Sequence, residues 1–146
     1  MAAAERPAVT LMGSGAILTE VVKAARLLAE DGVDAQVISV TSWSELARDG
    51  RAVELAALHD AGAPAEGAAF VAQQLKATAG PIIAATDYVR ALPESIRAFV
   101  PAGRRYVTLG TDGFGRSDTR AALRAFYGVD AATICRTAKA ALKNAA

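Results

Sequence analysis

The chemically richest part of this sequence is one short segment between Gly110 and Asp118. It contains three glycines, two aspartates, an arginine and a serine. A calcium loop would need oxygen ligands at alternating positions, but the third and fifth positions counted from Asp112 are Phe114 and Arg116, and neither supplies a carboxylate. We therefore expect no metal site there. The residues that we expect to contact a partner in or beside this segment are Asp112, Phe114, Arg116, Ser117, Asp118 and Arg120.

The glycines of this segment predict a loop with a demanding backbone geometry, because glycine adopts positive φ without a steric penalty. Phe114, which two of them flank, is expected to be either buried or docked on a partner. Arg116, Arg120 and Arg124 follow at four-residue spacing, which would place them on one face of a helix. That face is either solvated or a contact surface for an acidic partner, and the spacing leaves both interpretations open.

A second glycine-rich turn, Gly13-Ser14-Gly15, joins the first apolar run to the first helical pattern. Its position is that of a dinucleotide-binding turn, whose fingerprint also needs a glycine three residues after the second one and an acid at the end of the second strand. Leu18 replaces that glycine, and Ser39-Val40-Thr41 stands where the acid is needed. We expect a tight strand-to-helix turn, with weak anion binding at the helix N-terminus as the alternative.

No catalytic constellation accompanies these turns. His59 is the sole histidine, and no second ligand forms a metal cluster with it. Cys135 is the sole cysteine and lies in an alanine-rich helical pattern, where we expect a small buried side chain. An acidic pair, an HExxH pair, a nucleophile elbow and a Walker loop are all missing from the sequence. We expect no catalytic, cofactor-binding or metal-binding residues.

Four short apolar runs predict the strands that must position these loops. Most are nearly continuous in apolar character, which is typical of strands covered on both faces. Helical patterns lie between them, and this alternation predicts an α/β fold with three layers and a mostly parallel sheet flanked by helices. The four runs are Val9–Met12, Ala35–Val40, Pro81–Ala85 and Tyr106–Leu109.

The helical patterns are punctuated by residues that start or end helices. Gly32 is expected to follow the end of the first helix, and Asp49-Gly50 is expected to separate one turn from the next helix. Asp118 and Asp130 are expected to cap the last two helices, and Pro93 suits a first turn. The expected helical segments are residues 17–28, 44–47, 51–58, 66–77, 93–99, 118–127 and 131–142, with a loop at 59–64.

Composition limits the classes of protein that remain. The 146 residues fit one domain, which we expect to span 9–146 after a short lead at 1–8. The net charge of +1 gives no electrostatic reason to expect nucleic acid or an anionic membrane as partner. A single cysteine excludes an internal disulfide, so we expect a cytoplasmic protein. With 36 alanines and 5% aromatic residues, the helices are expected to pack closely.

Four segments in this order carry a family resemblance: LMGSGAIL from Leu11, SVTSWSELARDG from Ser39, AATDY from Ala84 and LGTDGFGRSDT from Leu109. They resemble the C-terminal domain of the homodimeric-type pyruvate dehydrogenase E1 enzymes, which belong to the thiamine diphosphate-dependent transketolase superfamily. The second and fourth segments are the most specific. The resemblance implies a fold like that of transketolase C-terminal domains. The segment from Ala56 to Gly80 and the tail are shorter than the family pattern.

The resemblance also implies a role. The full enzymes decarboxylate pyruvate and transfer the acetyl unit to a lipoyl group on the E2 acetyltransferase. Thiamine diphosphate and Mg²⁺ lie between two other domains, and the Gly-Asp-Gly start of the diphosphate motif does not occur here. The implied role is a structural, dimer-supporting domain that is inactive alone, as a fragment, split-gene product or excised piece. Its implied partners are the remaining E1 domains, the second E1 subunit and E2.

A free-standing, non-catalytic interaction module that docks through Gly110–Asp118 is the alternative to that role. In either case, we expect the isolated chain to expose an apolar patch and to self-associate, because contiguous apolar surface promotes association.

Overall fold

The structure, a computed structural model, describes residues 7–60, 62 and 68–144. Four parallel strands form the sheet, in the spatial order β2-β1-β3-β4. The expected α/β sheet is therefore confirmed, with strand boundaries within one residue of the apolar runs. All four carboxyl ends lie along one edge, called the carboxyl edge below, and the amino ends lie along the opposite amino edge. The strands are β1 (Val9–Gly13), β2 (Ala35–Ser39), β3 (Ile82–Ala85) and β4 (Tyr106–Leu109).

Helices cover both faces of this sheet, giving the three expected layers. They are α1 (Leu18–Glu30), α2 (Trp43–His59), α3 (Phe70–Leu75), α4 (Ala91–Glu94), α5 (Arg120–Tyr127) and α6 (Ala131–Lys143). Short 3₁₀ turns occupy Gly15–Ile17 and Arg97–Phe99. Within the described residues, no helix is both long enough and apolar enough to cross a membrane.

Side chains of successive strand residues pack into two separate hydrophobic cores, because side chains alternate between the two faces of a sheet. Leu11 and Ile83 pack with α1 and α6 on one face. Met12 and Ile82 pack on the other face, in a cluster that draws on α2 and α3. Ala24 of α1 and Ala138 of α6 are fully buried, which agrees with the close helix packing expected from the alanine content.

The expected break at Asp49-Gly50 is wrong. α2 runs without interruption from Trp43 to His59, and the Ser42 hydroxyl caps it by accepting a hydrogen bond from the amide of Glu45. Gly50 is buried in the middle of this helix, where an added Cβ would collide with the ring of Phe99. The glycine therefore permits a close packing contact and does not end the helix.

Three other helical segments also differ from expectation. The segment expected at 93–99 is divided between α4 (Ala91–Glu94) and the 3₁₀ turn Arg97–Phe99. Thr119, rather than Asp118, caps α5, because its hydroxyl accepts a hydrogen bond from the amide of Ala122. α3 covers only residues 70–75, and Asp49 of α2 accepts a hydrogen bond from the first amide of that helix. The expected start at 66 lies outside the described residues.

Other expectations on the same elements hold. Asp130 caps α6 by accepting from the amide of Thr133, and Cys135 is buried within that helix. One expectation fails by a residue: His59 is the exposed last residue of α2 and does not belong to the loop expected at 59–64. Most of the expected lead at 1–8 lies outside the described residues, so that boundary stays a prediction.

Candidate functional site

The loops after β3 and β4 meet at the carboxyl edge and are tied together through their backbones. The Thr111 amide donates to the carbonyl of Tyr88 at 2.9 Å, and the Thr111 hydroxyl donates to the carbonyl of Asp87 at 2.6 Å. An added Cβ on Gly110 would lie 2.8 Å from that same Tyr88 carbonyl. The first glycine of the loop is therefore needed for the close approach of two chains.

Asp112, one of the residues expected to contact a partner, bonds to the loop after β3 within the same chain. Its Oδ1 accepts from the backbone amide of Arg90 at 2.9 Å, and its Oδ2 lies 3.2 Å from Arg90 Nε. Both side chains of the pair are about half exposed. Asp112 thus braces the loop after β4 against the loop after β3, a role that its position in the sequence alone did not reveal.

Phe114 lies at the tip of the loop with its ring in solvent and is 96% exposed. The expectation that it is buried is wrong, and docking on a partner stays a prediction. The backbone at the tip is nevertheless held, because the Tyr127 hydroxyl donates to the Phe114 carbonyl at 2.5 Å. Gly113 before it has a φ of 97°, a left-handed conformation that favours glycine.

The expected helical face of three arginines is not formed, since α5 begins only at Arg120. Arg116 belongs to the loop, where its guanidinium lies 4.0 Å from the centre of the Phe126 ring. Arg124 on α5 instead forms an ion pair with Glu20 at 3.0 Å. Ser117, Asp118 and Arg120 are exposed, and Asp118 accepts a hydrogen bond from the amide of Thr119 at 2.7 Å.

Glu20, a nearly buried carboxylate on α1, ties the last two helices to the first. It accepts hydrogen bonds from Lys23, from Arg124 and from the amide of Ala131. Burial pushes the pKa of Glu20 upward, but the bonds from Lys23 and Ala131 and the nearby cationic charges outweigh it and lower the pKa overall. Glu20 therefore remains a carboxylate and serves structure.

The Gly13-Ser14-Gly15 turn is the expected tight connection, and its polar groups are already used. The Ser14 hydroxyl accepts from Trp43 Nε1 at 2.9 Å and donates to Thr86 at 3.1 Å. A carboxylate oxygen of Asp87 lies 3.4 Å from where a Cβ on Gly15 would stand. That negative charge opposes an anionic ligand, so the geometry does not support the anion-binding alternative.

Two hollows are relevant to ligand binding. The larger one, about 600 Å³, lies between β2, α2 and α3, away from the loops above. Its two carboxylates are engaged, since Glu45 pairs with Arg48 and Asp49 caps α3. The smaller one, about 310 Å³, lies beside Phe114 and is lined by Thr111, Gly115, Leu123, Tyr127 and Val129, among others. Across the described ranges, no three His, Cys, Asp or Glu residues are grouped to hold a metal ion.

The carboxyl edge also exposes apolar residues that sequence patterns did not single out. Tyr88 and Val89 follow β3, and Phe126 lies near the end of α5; all three are exposed. A shallow hollow lined by Arg90, Asp112 and Phe126 connects the loop after β3 with α5. No periodicity marks these residues, because two of them lie in a loop and the third lies on the outer side of a short helix.

Comparison with known sequences relates most of this chain to one family. The model of the transketolase-like C-terminal domain family matches residues 1–130. The pyruvate dehydrogenase E1 component of Cupriavidus necator is 55% identical over 126 residues, covering 85% of this chain and 14% of the relative. Its counterpart in Escherichia coli is 46% identical over 128 residues, covering 86% of this chain and 14% of the relative. The chain thus spans about one seventh of these relatives' length.

Solved structures share the fold at lower identity. A split gene transketolase, described as an inactive beta4 tetramer, matches 95% of this chain and 40% of its own chain with a TM-score of 0.63 and 19% identity. The transketolase from Leishmania mexicana matches 94% of this chain and 17% of its own, with a TM-score of 0.61 and 21% identity. These likenesses support the three-layer α/β architecture alone.

Proposed function

The chain belongs to the transketolase-like C-terminal domain family, and from that premise we propose that it serves as the non-catalytic, dimer-supporting C-terminal domain of a pyruvate dehydrogenase E1 component. The observation that carries the proposal is the 55% identity over 126 residues to such an enzyme, of which this chain matches only 14%. A single domain of a long enzyme would give such a match, with high identity over most of this chain and over a small part of the enzyme.

The described residues do not fit thiamine diphosphate and Mg²⁺, the cofactors of the full enzymes. The glycine turn, which is the site best placed for a diphosphate, has the Asp87 carboxylate beside Gly15 and a Ser14 hydroxyl that already bonds to Trp43 and Thr86. A diphosphate there would meet a like charge. We therefore derive no catalytic step from this chain.

In the proposed setting, the full enzyme decarboxylates pyruvate and passes the acetyl unit to a lipoyl group of the E2 acetyltransferase. The partners of this chain are the remaining E1 domains and a second E1 subunit, and the compartment is the cytoplasm. This chain contributes the surface of the carboxyl edge, whose loops are held in place by internal hydrogen bonds. Arg90, Asp112 and Tyr127 hold the loops of the carboxyl edge in place, so little conformational entropy is lost when that surface is covered. The free-standing module is not favoured by the comparisons, because the identity is to parts of E1 enzymes.

Replacement of the matching region of the Cupriavidus necator enzyme by this chain tests the proposal. We expect the hybrid to release carbon dioxide from pyruvate within about tenfold of the parental rate. The chain alone, titrated calorimetrically with thiamine diphosphate and Mg²⁺, is expected to give no saturable heat. A hybrid that folds and binds thiamine diphosphate but stays inactive would contradict the assigned role, as would saturable cofactor binding by the chain alone.

A further inference from the structure

We propose that the outer side of β2, which faces away from β1, binds an extended segment of the E1 polypeptide as an additional strand of the sheet. The segment comes from outside the region that this chain represents. We call this surface the β2 groove and define it by Ala35, Val37 and Ser39 of β2 and the adjoining hollow of about 600 Å³. The inference rests on the proposed function and names a place where the rest of the enzyme binds and the chemistry that recognises it.

Strand β2 has a neighbour on one side only, since β1 is the one strand paired with it among the described residues. The Val40 amide donates to the Gly13 carbonyl of β1 at 2.8 Å, so the backbone groups at even positions of β2 turn towards β1. Ala35, Val37 and Ser39 therefore turn their N–H and C=O groups outward, and no described residue hydrogen-bonds to them. An unpaired strand edge of this kind is a template for a further strand.

The larger hollow lies directly beside these backbone groups, because Gln36, Ile38 and Ser39 of β2 line it. Its floor is apolar, and Phe70 of α3 is 53% exposed there. Side chains of a strand alternate between its two faces, so every second side chain of a strand beside β2 would enter this hollow. The apolar residues that form the floor include Ile38, Leu46, Phe70, Val71 and Leu75.

The outward backbone groups and the apolar hollow together select an extended peptide. A small molecule or a helix could fill the hollow but would leave the outward N–H and C=O groups of β2 without partners, whereas a strand satisfies both. None of the described residues that line the hollow is cationic, and its carboxylates are bonded within the chain, Glu45 to Arg48 and Asp49 to the first amide of α3. The segment that fits is therefore uncharged, with apolar residues at alternating positions.

The length of the related enzymes indicates where this segment comes from. This chain matches about one seventh of the Cupriavidus necator enzyme, so most of such a polypeptide lies outside the matched region. In the proposed setting, those residues are joined to this domain and reach the β2 groove at a high effective concentration, an advantage that a separate protein lacks. An exposed strand edge also invites aggregation, which a cover supplied by the enzyme itself prevents.

Hydrogen exchange at single amides, measured by mass spectrometry with electron-transfer fragmentation, tests the added strand in the hybrid of the Cupriavidus necator enzyme and this chain. β2 contains its own control, since the amides of Gln36 and Ile38 bond to β1 in either case. In the chain alone, we expect the outward amides of Val37 and Ser39 to exchange at least about 100-fold faster than that pair. In the hybrid, they should become about 100-fold slower, because an acceptor of the added strand faces them.

Two variants of the hybrid separate the backbone pairing from the hollow. Ser39→Pro removes one outward N–H and keeps the bonds to β1, because proline is tolerated in an edge strand where its nitrogen faces away from the sheet. Gln74→Trp, at an exposed position of α3, fills the hollow. We expect each variant to speed the exchange of the Val37 amide in the hybrid at least about tenfold. Ser39→Thr, which keeps the N–H, and Leu58→Trp, near the exposed end of α2, are the matched controls and should leave it unchanged.

Cross-linking from Gln36→photo-leucine, at an exposed position of the β2 groove, identifies the bound segment. A cross-link to E1 residues outside the replaced region supports the proposal. A cross-link to a second copy of this domain or to another protein, the absence of a cross-link, or a Val37 amide that exchanges as fast in the hybrid as in the chain alone would overturn it. An active hybrid with an unprotected Val37 amide removes the added strand and leaves the proposed function standing. An inactive hybrid with a protected Val37 amide removes the proposed function and leaves the strand.

Discussion

The two edges of the sheet are built in opposite ways. At the amino edge, Arg104 directs all its N–H groups inward, to the carbonyls of Leu75, Ala79 and Gly80 and to the hydroxyls of Thr10 and Thr78, over 2.7 to 3.2 Å. Burial lowers the pKa of Arg104, yet a guanidinium stays charged in proteins. At the carboxyl edge, loops are also braced by hydrogen bonds within the chain but present Phe114 to water.

This difference indicates that the amino edge mainly stabilises the fold, whereas the carboxyl edge is open to contact with other molecules. A cation that satisfies five acceptors within the chain has no donor left for another molecule, so Arg104 serves the fold and not a partner. The carboxyl edge keeps its backbone bonds internal and leaves apolar rings and unburied charges outside. Substitutions of the buried groups at the amino edge should therefore destabilise the chain, whereas substitutions of the exposed groups at the carboxyl edge should alter binding.

A pair of glycine substitutions gives the largest expected contrast. Gly80 precedes β3 at the amino edge with a φ of 67°, and an added Cβ would collide with the carbonyl of Ala8. Gly80→Ala should lower the free energy of unfolding by about 4 kcal/mol. Gly115→Ala at the carboxyl edge, with open space and no left-handed strain, should change it by less than about 0.5 kcal/mol. Urea unfolding measures both, and equal losses would remove the contrast.

Removal of the amino-edge cation should have the next largest effect. Arg104→Met keeps much of the aliphatic stem but leaves five acceptors without their donor, so we expect a loss of about 3 kcal/mol of unfolding free energy. Arg105→Met, at the exposed neighbouring position, is the control and should lie within about 0.5 kcal/mol of the parent chain. An Arg104→Met variant as stable as that control would show that the edge is held in another way.

Acid should produce the smallest change in unfolding free energy. It should act mainly through a carboxylate that lies away from the amino edge. Glu94 of α4 accepts hydrogen bonds from Arg97 and from Thr108 of β4. The bond from Arg97, opposed in part by burial and helped by Thr108, lowers the pKa of Glu94 from 4.5 to about 2. Because the folded pKa lies below the unfolded value, its stabilisation is complete above pH 4.5 and is lost as the pH falls towards 2.

The comparison of Glu94→Gln with the parent chain measures this dependence. The parent should be the more stable at pH 6, and the two unfolding free energies should approach each other as the pH falls from 4.5 towards 2. Arg104→Met should lose the same amount at both ends of that range, because no carboxylate bonds to its guanidinium in the described structure. A difference for Glu94→Gln that persists unchanged at pH 2 would contradict the role given to this carboxylate.

The sequence predicted what local patterns determine. The ends of the four strands were predicted to within one residue, and Asp130 was correctly expected to cap α6. Both signals lie within a few neighbouring residues. The glycine inside α2 is explained by its close contact with the ring of Phe99, which is distant in the sequence. The spacing of Arg116, Arg120 and Arg124 suggested a helical face, but Arg116 precedes the Thr119 cap of α5 and lies in the loop.

The candidate site was predicted only in outline. The Gly110–Asp118 loop was found from its composition. Whether Phe114 is buried or exposed was not predicted, because an apolar residue between glycines suits either state. The partners of Arg124 and Asp112 were also missed. Glu20 lies 104 positions from Arg124, and Arg90 lies 22 positions from Asp112. Contacts over such separations leave no periodic signal in one sequence.

The link from Glu20 to the last two helices has a consequence for the order of folding. α1, near the start of the chain, packs against α6, near its end, and Glu20 bonds to the amide of Ala131. The part of one sheet face that α6 covers therefore stays exposed during synthesis until α6 has left the ribosome. Contacts of such long sequence separation slow folding and expose apolar surface meanwhile. Nascent chains stalled before residue 131 should thus engage chaperones, and those that have released α6 should fold.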